Sequence, residues 1–264
     1  MPLPRIQAFE FNDREWAPAF LRDTIVEALS LTLRWGGIMD GLAPHFHRFL
    51  SEAGTTEVLD LGSGAGGPGA ALTDALAARG APVRFLLTDL FPRVAVWSEL
   101  ASTRPGALEI VEQPVDATNI PRELSAGRAR VVLNVLHHFP APLARSVLAD
   151  AVSSRAPIFI AEGFERNPLG FVAFAPAGIP ALAATPLLAK NHRFARAMIT
   201  WATPIALLAS MWDGFVSTLR VYTEGELREM VRDLDGSEGW TWSYGTYAFP
   251  PFGRGYFFHG LPPR

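Results

Sequence analysis

The spacing of apolar and polar positions changes several times along the chain. Between positions 16 and 49 the apolar residues recur at helical intervals, with Phe20, Leu21, Ile25, Ala28 and Leu29 on one stripe. Gly36-Gly37 and Pro44 are expected to break that stripe, which predicts an N-terminal helical cap. From Glu57 onward, short apolar runs at 57–61, 83–88, 108–112, 131–135 and 158–161 alternate with helix-length segments at 69–78, 94–102 and 141–152. Strands separated by helices predict a parallel sheet with crossover helices.

After Glu162 the alternation stops, and positions 167–189 carry no charge. Pro168, Pro176, Pro180 and Pro186, with Gly170 and Gly178, are expected to interrupt any helix long enough to span a bilayer, so the stretch reads as a lid of short helices and loops. Order resumes at Thr223, a plausible N-cap for a helix burying Leu227 and Val231. The runs 240–249 and 255–260 flank a Pro-Pro-Phe-Gly turn and predict a terminal antiparallel hairpin. In them Trp240, Trp242, Phe249 and Phe252 read as sheet core. The expected organisation is one domain over 1–264: a cap at 1–52, a core at 53–163, a lid at 164–221, and a final helix and hairpin at 222–264.

Bulk properties narrow the partners. A chain of 264 residues, 49% apolar, can bury one large core. A formal charge of -3 gives no general attraction to phosphate backbones, so nucleic acid is not the expected partner. Cysteine is absent, which excludes disulfides and thiolate metal ligands. Positions 1–14 contain no apolar h-region, and the chain reads as cytoplasmic.

The sharpest local signal is Val58-Leu59-Asp60-Leu61-Gly62-Ser63-Gly64-Ala65-Gly66-Gly67, an apolar strand entering a glycine-rich turn before a helix. Glycines there let a ligand approach the backbone. The spacing also satisfies the dinucleotide pattern, and the discriminator is Asp60: a carboxylate disfavours a pyrophosphate and favours the ammonium and sulfonium of S-adenosylmethionine. Asp89, followed by Leu90, ends the second predicted strand, where a carboxylate can bind ribose hydroxyls. Asp116, followed by Ala117, comes after the third and would receive an adenine amino group.

With these residues in register, the run 57–162 resembles the sheet core of class I S-adenosylmethionine-dependent methyltransferases. Asp60, Gly62 and Gly64 match that family's first motif and Asp89 its ribose-binding acid, with Ser63 and Leu90 beside them expected at the cofactor. Asp116-Ala117 falls at the adenine position and Asn134 at the fourth-strand position facing the cofactor. The resemblance implies a Rossmann-like α/β fold with seven strands, the last antiparallel, S-adenosylmethionine as cofactor and S-adenosylhomocysteine as product. Positions 10–22 and 212–217 are also similar to a bacterial subgroup of such proteins whose substrates are unassigned.

Methyl transfer needs the nucleophile, methyl and sulfur in line, and a base only if the nucleophile arrives protonated. His137 and His138 follow the fourth predicted strand and are the candidate bases; alternatively one caps the next helix and the other supports the adenosine loop. Glu162 is read as orienting a substrate or pairing with Arg166. Trp212, Asp213 and Arg220 would close the acceptor pocket, or Asp213 and Arg220 would pair to pin the lid. No metal site is expected. The leading expectation is methylation of oxygen, nitrogen or carbon in a small, apolar acceptor. Alternatives are a non-methylating enzyme such as a cyclase on the same cofactor, an NAD-dependent oxidoreductase disfavoured by Asp60, and a lipid methyltransferase docked on a membrane through the lid, Arg193 and Arg196.

Overall fold

The computed structural model describes residues 3–263. Two helices come first, α1 (Ala19–Trp35) and α2 (Ile38–Ala53), separated at Gly36-Gly37 where Gly37 takes a φ of +63°. Pro44 does not end the helical cap as expected; it lies inside α2. The carbonyl its ring leaves without an intrahelical partner, that of Asp40, accepts instead from Arg79 Nη2 at 3.2 Å. In α2, Phe46 and Phe49 are fully buried against Phe159, with Phe46 also touching Phe85. Burial of each such ring contributes roughly 1.5–3 kcal/mol and seats the cap on the sheet.

The sheet follows the expected alternation: β1 (Glu57–Leu61), α3 (Gly67–Ala77), β2 (Arg84–Thr88), α4 (Val94–Ser102), β3 (Leu108–Ile110), a single turn α5 (Arg122–Ser125), β4 (Ala129–Leu133), α6 (Ala141–Ser153) and β5 (Ile158–Glu162). The lid region supplies α7 (Ala175–Leu188), α8 (Arg193–Ala197), a π-helical turn and α9 (Ile205–Arg220). The chain closes with α10 (Glu224–Arg232), β6 (Thr241–Phe249) and β7 (Gly253–Leu261). Thr223 caps α10 through a reciprocal box with Glu226, as its position before the apolar stripe predicted. The seven strands are ordered β3-β2-β1-β4-β5-β7-β6, and β7 alone runs against its neighbours β5 and β6. The central strands read as continuous apolar runs because helices cover both faces. Phe252 departs from the expected hairpin core: it sits in the turn, 67% exposed.

The lid is more continuous than its prolines suggested. Pro168–Leu188 forms one helical stretch of 21 residues whose most apolar 18 residues have a mean hydropathy of 1.7, long and apolar enough by length and composition to cross a membrane. Pro176 occupies the first turn of α7, where its missing N–H costs nothing. At Pro186 the carbonyl left over, that of Leu182, accepts from Thr185 Oγ1 at 2.8 Å. This stretch packs across the outside of α1, with Gly178 against Thr32 and Gly36 against Ala177.

Candidate functional site

β1 runs into a loop whose backbone must turn left-handed three times, at Gly62, Gly64 and Gly66 (φ +69°, +54° and +77°). A Cβ at Gly62 would meet Val135 Cγ1 at 2.9 Å, whereas at Gly64 it would meet nothing within 4 Å. Gly64 therefore presents bare backbone to open space. Asp89, just past β2, holds the loop: Oδ2 accepts from the Gly64 N–H and Oδ1 from that of Phe91, both at 2.8 Å. Ser63 ties the other side, donating its N–H to the Thr88 carbonyl at 2.9 Å and its hydroxyl to the Asp60 carbonyl at 3.1 Å.

The loop opens onto a cleft of about 500 Å³ at the carboxyl ends of the parallel strands. Its lining includes Gly62, Ser63, Gly64, Asp89, Leu90, Asp116, Ala117, Asn134 and His138 from the sequence-derived set. Asp116 accepts from the Thr118 N–H at 2.8 Å and from its hydroxyl at 2.7 Å, bonds that hold its carboxyl below the usual range. Asn134 takes a φ of +54° so that its Oδ1 receives the Gly163 N–H at 2.6 Å. Asp60 is placed differently from expectation. It is 2% exposed, beneath the loop, with Oδ2 2.9 Å from where a Gly69 Cβ would lie, and it does not line the cleft. Burial, with some help from Asp89, pushes its pKa up to about 7. The Asp60 carboxyl thus lies between β1 and α3, beneath the loop.

The two histidines part company. His137 is 3% exposed and faces Glu162, with Nδ1 2.8 Å from Oε2 and its backbone N–H donating to Oε1 at 3.1 Å. Burial drives both groups to their neutral forms, His137 down to about 3 and Glu162 up to about 8. Neither faces the cleft. His138 does, and its Nδ1 lies 3.1 Å from Asp13 Oδ1. Arg220 Nη1 is hydrogen-bonded both to Asp13 Oδ2 at 2.7 Å and to the same nitrogen at 3.2 Å, and it lies 3.0 Å from Glu10 Oε1. His138 Nδ1 thus sits between an acceptor, Asp13, and a donor, Arg220, and its tautomer sets which of the two it engages. Burial pushes Asp13 upward, but His138 and Arg220 outweigh it and hold its carboxyl well below the usual range. Glu10, His137 and His138 have the spacing of a metal triad, yet the Arg220 guanidinium supplies the positive charge among them.

The expected substrate residues lie off the cleft. Glu162 pairs with His137 and not with Arg166, which binds Glu226. Asp213 and Arg220 do not pair; both secure the N-terminal segment. Asp213 accepts from the N–H groups of Phe11 and Asn12 at 2.7 and 3.0 Å, and Trp212 Nε1 donates to the Phe9 carbonyl at 2.9 Å. No residue of the lid at 164–221 lines the cleft. What covers it instead is Asn12 and Asp13 together with Val26, Leu29, Ser30 and Leu33 of α1. Sequence reasoning missed this wall, since no spacing rule ties position 13 to position 220.

Neither a protein family nor a curated protein matches the chain in sequence. Solved structures do match in three dimensions. The plantazolicin methyltransferase BpumL, in complex with SAH, aligns with a TM-score of 0.55 and 9% identity over 93% of this chain and 95% of that one. The methyltransferase domain of bacterial CtHen1-C aligns at 0.51 and 11% identity over 86% of this chain and 100% of its own. Such identities speak to architecture, and with the strand order and the placement of the loop they give the conclusion: this chain has the Rossmann-like fold of the class I S-adenosylmethionine-dependent methyltransferases.

Proposed function

We propose that the protein transfers a methyl group from S-adenosylmethionine to a small, apolar acceptor. The observation that carries this reading is the cleft itself, where bare Gly64 backbone, Asp89, Asp116 and Asn134 meet at the ends of adjacent strands. These residues suit the cofactor. Asp89 and Asp116 offer carboxylate acceptors to ribose hydroxyls and an adenine amino group, and the open side of Gly64 admits the methionyl end without a steric clash. When bound, the cofactor supplies an electrophilic methyl on a sulfonium.

The chain's own residues do the rest. Val26, Leu29 and Leu33 from α1, with Phe139 and Leu143, give the cleft an apolar wall that excludes water and favours an apolar acceptor. His138 is the base: Asp13 fixes its ring through Nδ1, and Nε2 takes the proton of an acceptor hydroxyl or amine. In methylation of a hydroxyl or amine, the proton the acceptor loses would pass to His138 as its oxygen or nitrogen takes the methyl group.

Calorimetric titration of S-adenosylmethionine and S-adenosylhomocysteine, with NADH as control, tests the reading. Both sulfur ligands are expected to bind, and Asp89→Ala to weaken them by roughly 1.5–3 kcal/mol, the value of hydrogen bonds to a charged group. Binding of NADH with no response to either sulfur ligand would overturn the assignment.

A further inference from the structure

The lid face is apolar where nothing among the described residues covers it. Phe194 is 81% exposed, and Leu187, Leu188 and Trp201 are 61%, 59% and 54% exposed. Two contacts gather them at one end of the lid. Arg193 Nη2 donates to the Leu187 carbonyl at 2.8 Å, and Trp201 Nε1 to that of Ala183 at 3.0 Å. A helix on a water-facing surface ordinarily turns polar side chains outward, but α7 is apolar on its outer side as well. The acceptor cleft does not explain this face, because no lid residue reaches it.

Charge indicates what does cover it. Although the chain holds 26 acidic residues, none lies between Glu165 and Asp213. Lys190 and Arg193 are exposed beside Phe194; the Lys190 charge is met by Glu99 of α4 at 2.6 Å, while Arg193 has no acidic partner among the described residues and carries the face's uncompensated positive charge. Arg196 contributes nothing outward, being buried on Glu27 and Asp23. Apolar and aromatic side chains beside exposed cations, with acids absent from the segment, complement an anionic lipid surface. A symmetric second copy is the poorer occupant, since it would set this segment's cations against themselves.

We propose that the α7–α9 face, led by Leu187, Leu188 and Phe194, docks the protein on an anionic bilayer and lies in the headgroup plane. Flotation with phosphatidylcholine vesicles, with and without phosphatidylglycerol, tests this. At low salt the protein is expected to float with the phosphatidylglycerol vesicles, to bind phosphatidylcholine alone more weakly, and to release as salt rises. The double variant Leu188→Asp/Phe194→Asp is expected to lose binding by roughly tenfold or more per side chain. Both positions are exposed, so its melting temperature and S-adenosylmethionine titration stay unchanged, which separates this test from that of the cofactor. No flotation with phosphatidylglycerol at low salt would overturn the proposal, as would binding indifferent to the double variant. So would a dimer seen by light scattering that the same two substitutions dissolve, since the face would then belong to a second copy.

Discussion

Asp13 joins the two halves of the site. It lies 3.1 Å from His138 Nδ1 on one side and accepts from Arg220 on the other, so a residue near the start of the chain contacts a ring that follows β4. If His138 is the base, Asp13 is a positioning residue whose loss affects the chemical step more than ligand binding. His138→Gln is expected to lower kcat by about 10²-fold or more. Asp13→Asn is expected to lower kcat by between about tenfold and a hundredfold, with KM and cofactor affinity nearly unchanged, and Asp13→Glu to restore part of the rate. Steady-state kinetics on the three variants, alongside the calorimetry, checks this. A rise in KM with kcat intact would assign Asp13 to binding instead.

The elements that carry the cleft wall are set by close approaches. Where α1 crosses the start of α3, a Cβ at Gly67 would lie 2.5 Å from Ser30 Oγ and 3.3 Å from Ser30 Cα. The hydroxyl can turn away but the backbone cannot, so Gly67→Ala must push α1 from the loop. That overpacking is expected to cost about 1–3 kcal/mol in urea unfolding and to weaken cofactor binding, because Val26, Leu29 and Ser30 move with the helix. The N-terminal segment is fastened with comparable density. Arg5 donates to the carbonyls of Arg220, His137 and Phe139 and stacks 4.2 Å above the Tyr222 ring. Ile6 N–H meets the Leu219 carbonyl at 3.0 Å. Helix α9 thus serves as the anchor of a strap over the site, the role its polar residues play in place of substrate contact.

Several buried acids share one direction of titration. Asp60 and Glu10 are raised to about 7 and Glu162 to about 8, chiefly by burial. A group with a raised folded pKa stabilises fully below its unfolded value and loses that contribution as pH climbs through the folded one. Thermal stability is therefore expected to fall between about pH 5 and 8. His137, lowered to about 3, acts in the opposite sense, losing its contribution as pH falls from its unfolded value. Glu162→Gln keeps the neutral form at all pH values and is expected to flatten the upper part of the decline. Melting temperatures of the two proteins across this range check it, and parallel profiles would show that Glu162 does not titrate there.

Local pattern was enough to read the strands, the glycine loop, the acids at strand ends, the Thr223 cap and the terminal hairpin, because each depends on period, turn chemistry or neighbours a few residues away. Pro44 of α2 and Pro186 of α7 do not act as breaks, because the groups that satisfy their freed carbonyls, Arg79 and the Thr185 hydroxyl, become visible only once the helices exist. Asp60 was legible as part of a motif, but not as buried, since its distance from the cleft depends on how α3 packs at Gly69. The split between His137 and His138 has the same origin: both lie in one 3-10 turn with ring centroids 4.1 Å apart, yet one ring meets Glu162 and the other Asp13. The sequence alone determined which chemical groups stand at the glycine loop and the strand ends, through residue type and short-range spacing. Only the tertiary structure decided which of those groups meet, because contacts such as that between positions 13 and 220 are set by packing and follow no period along the chain.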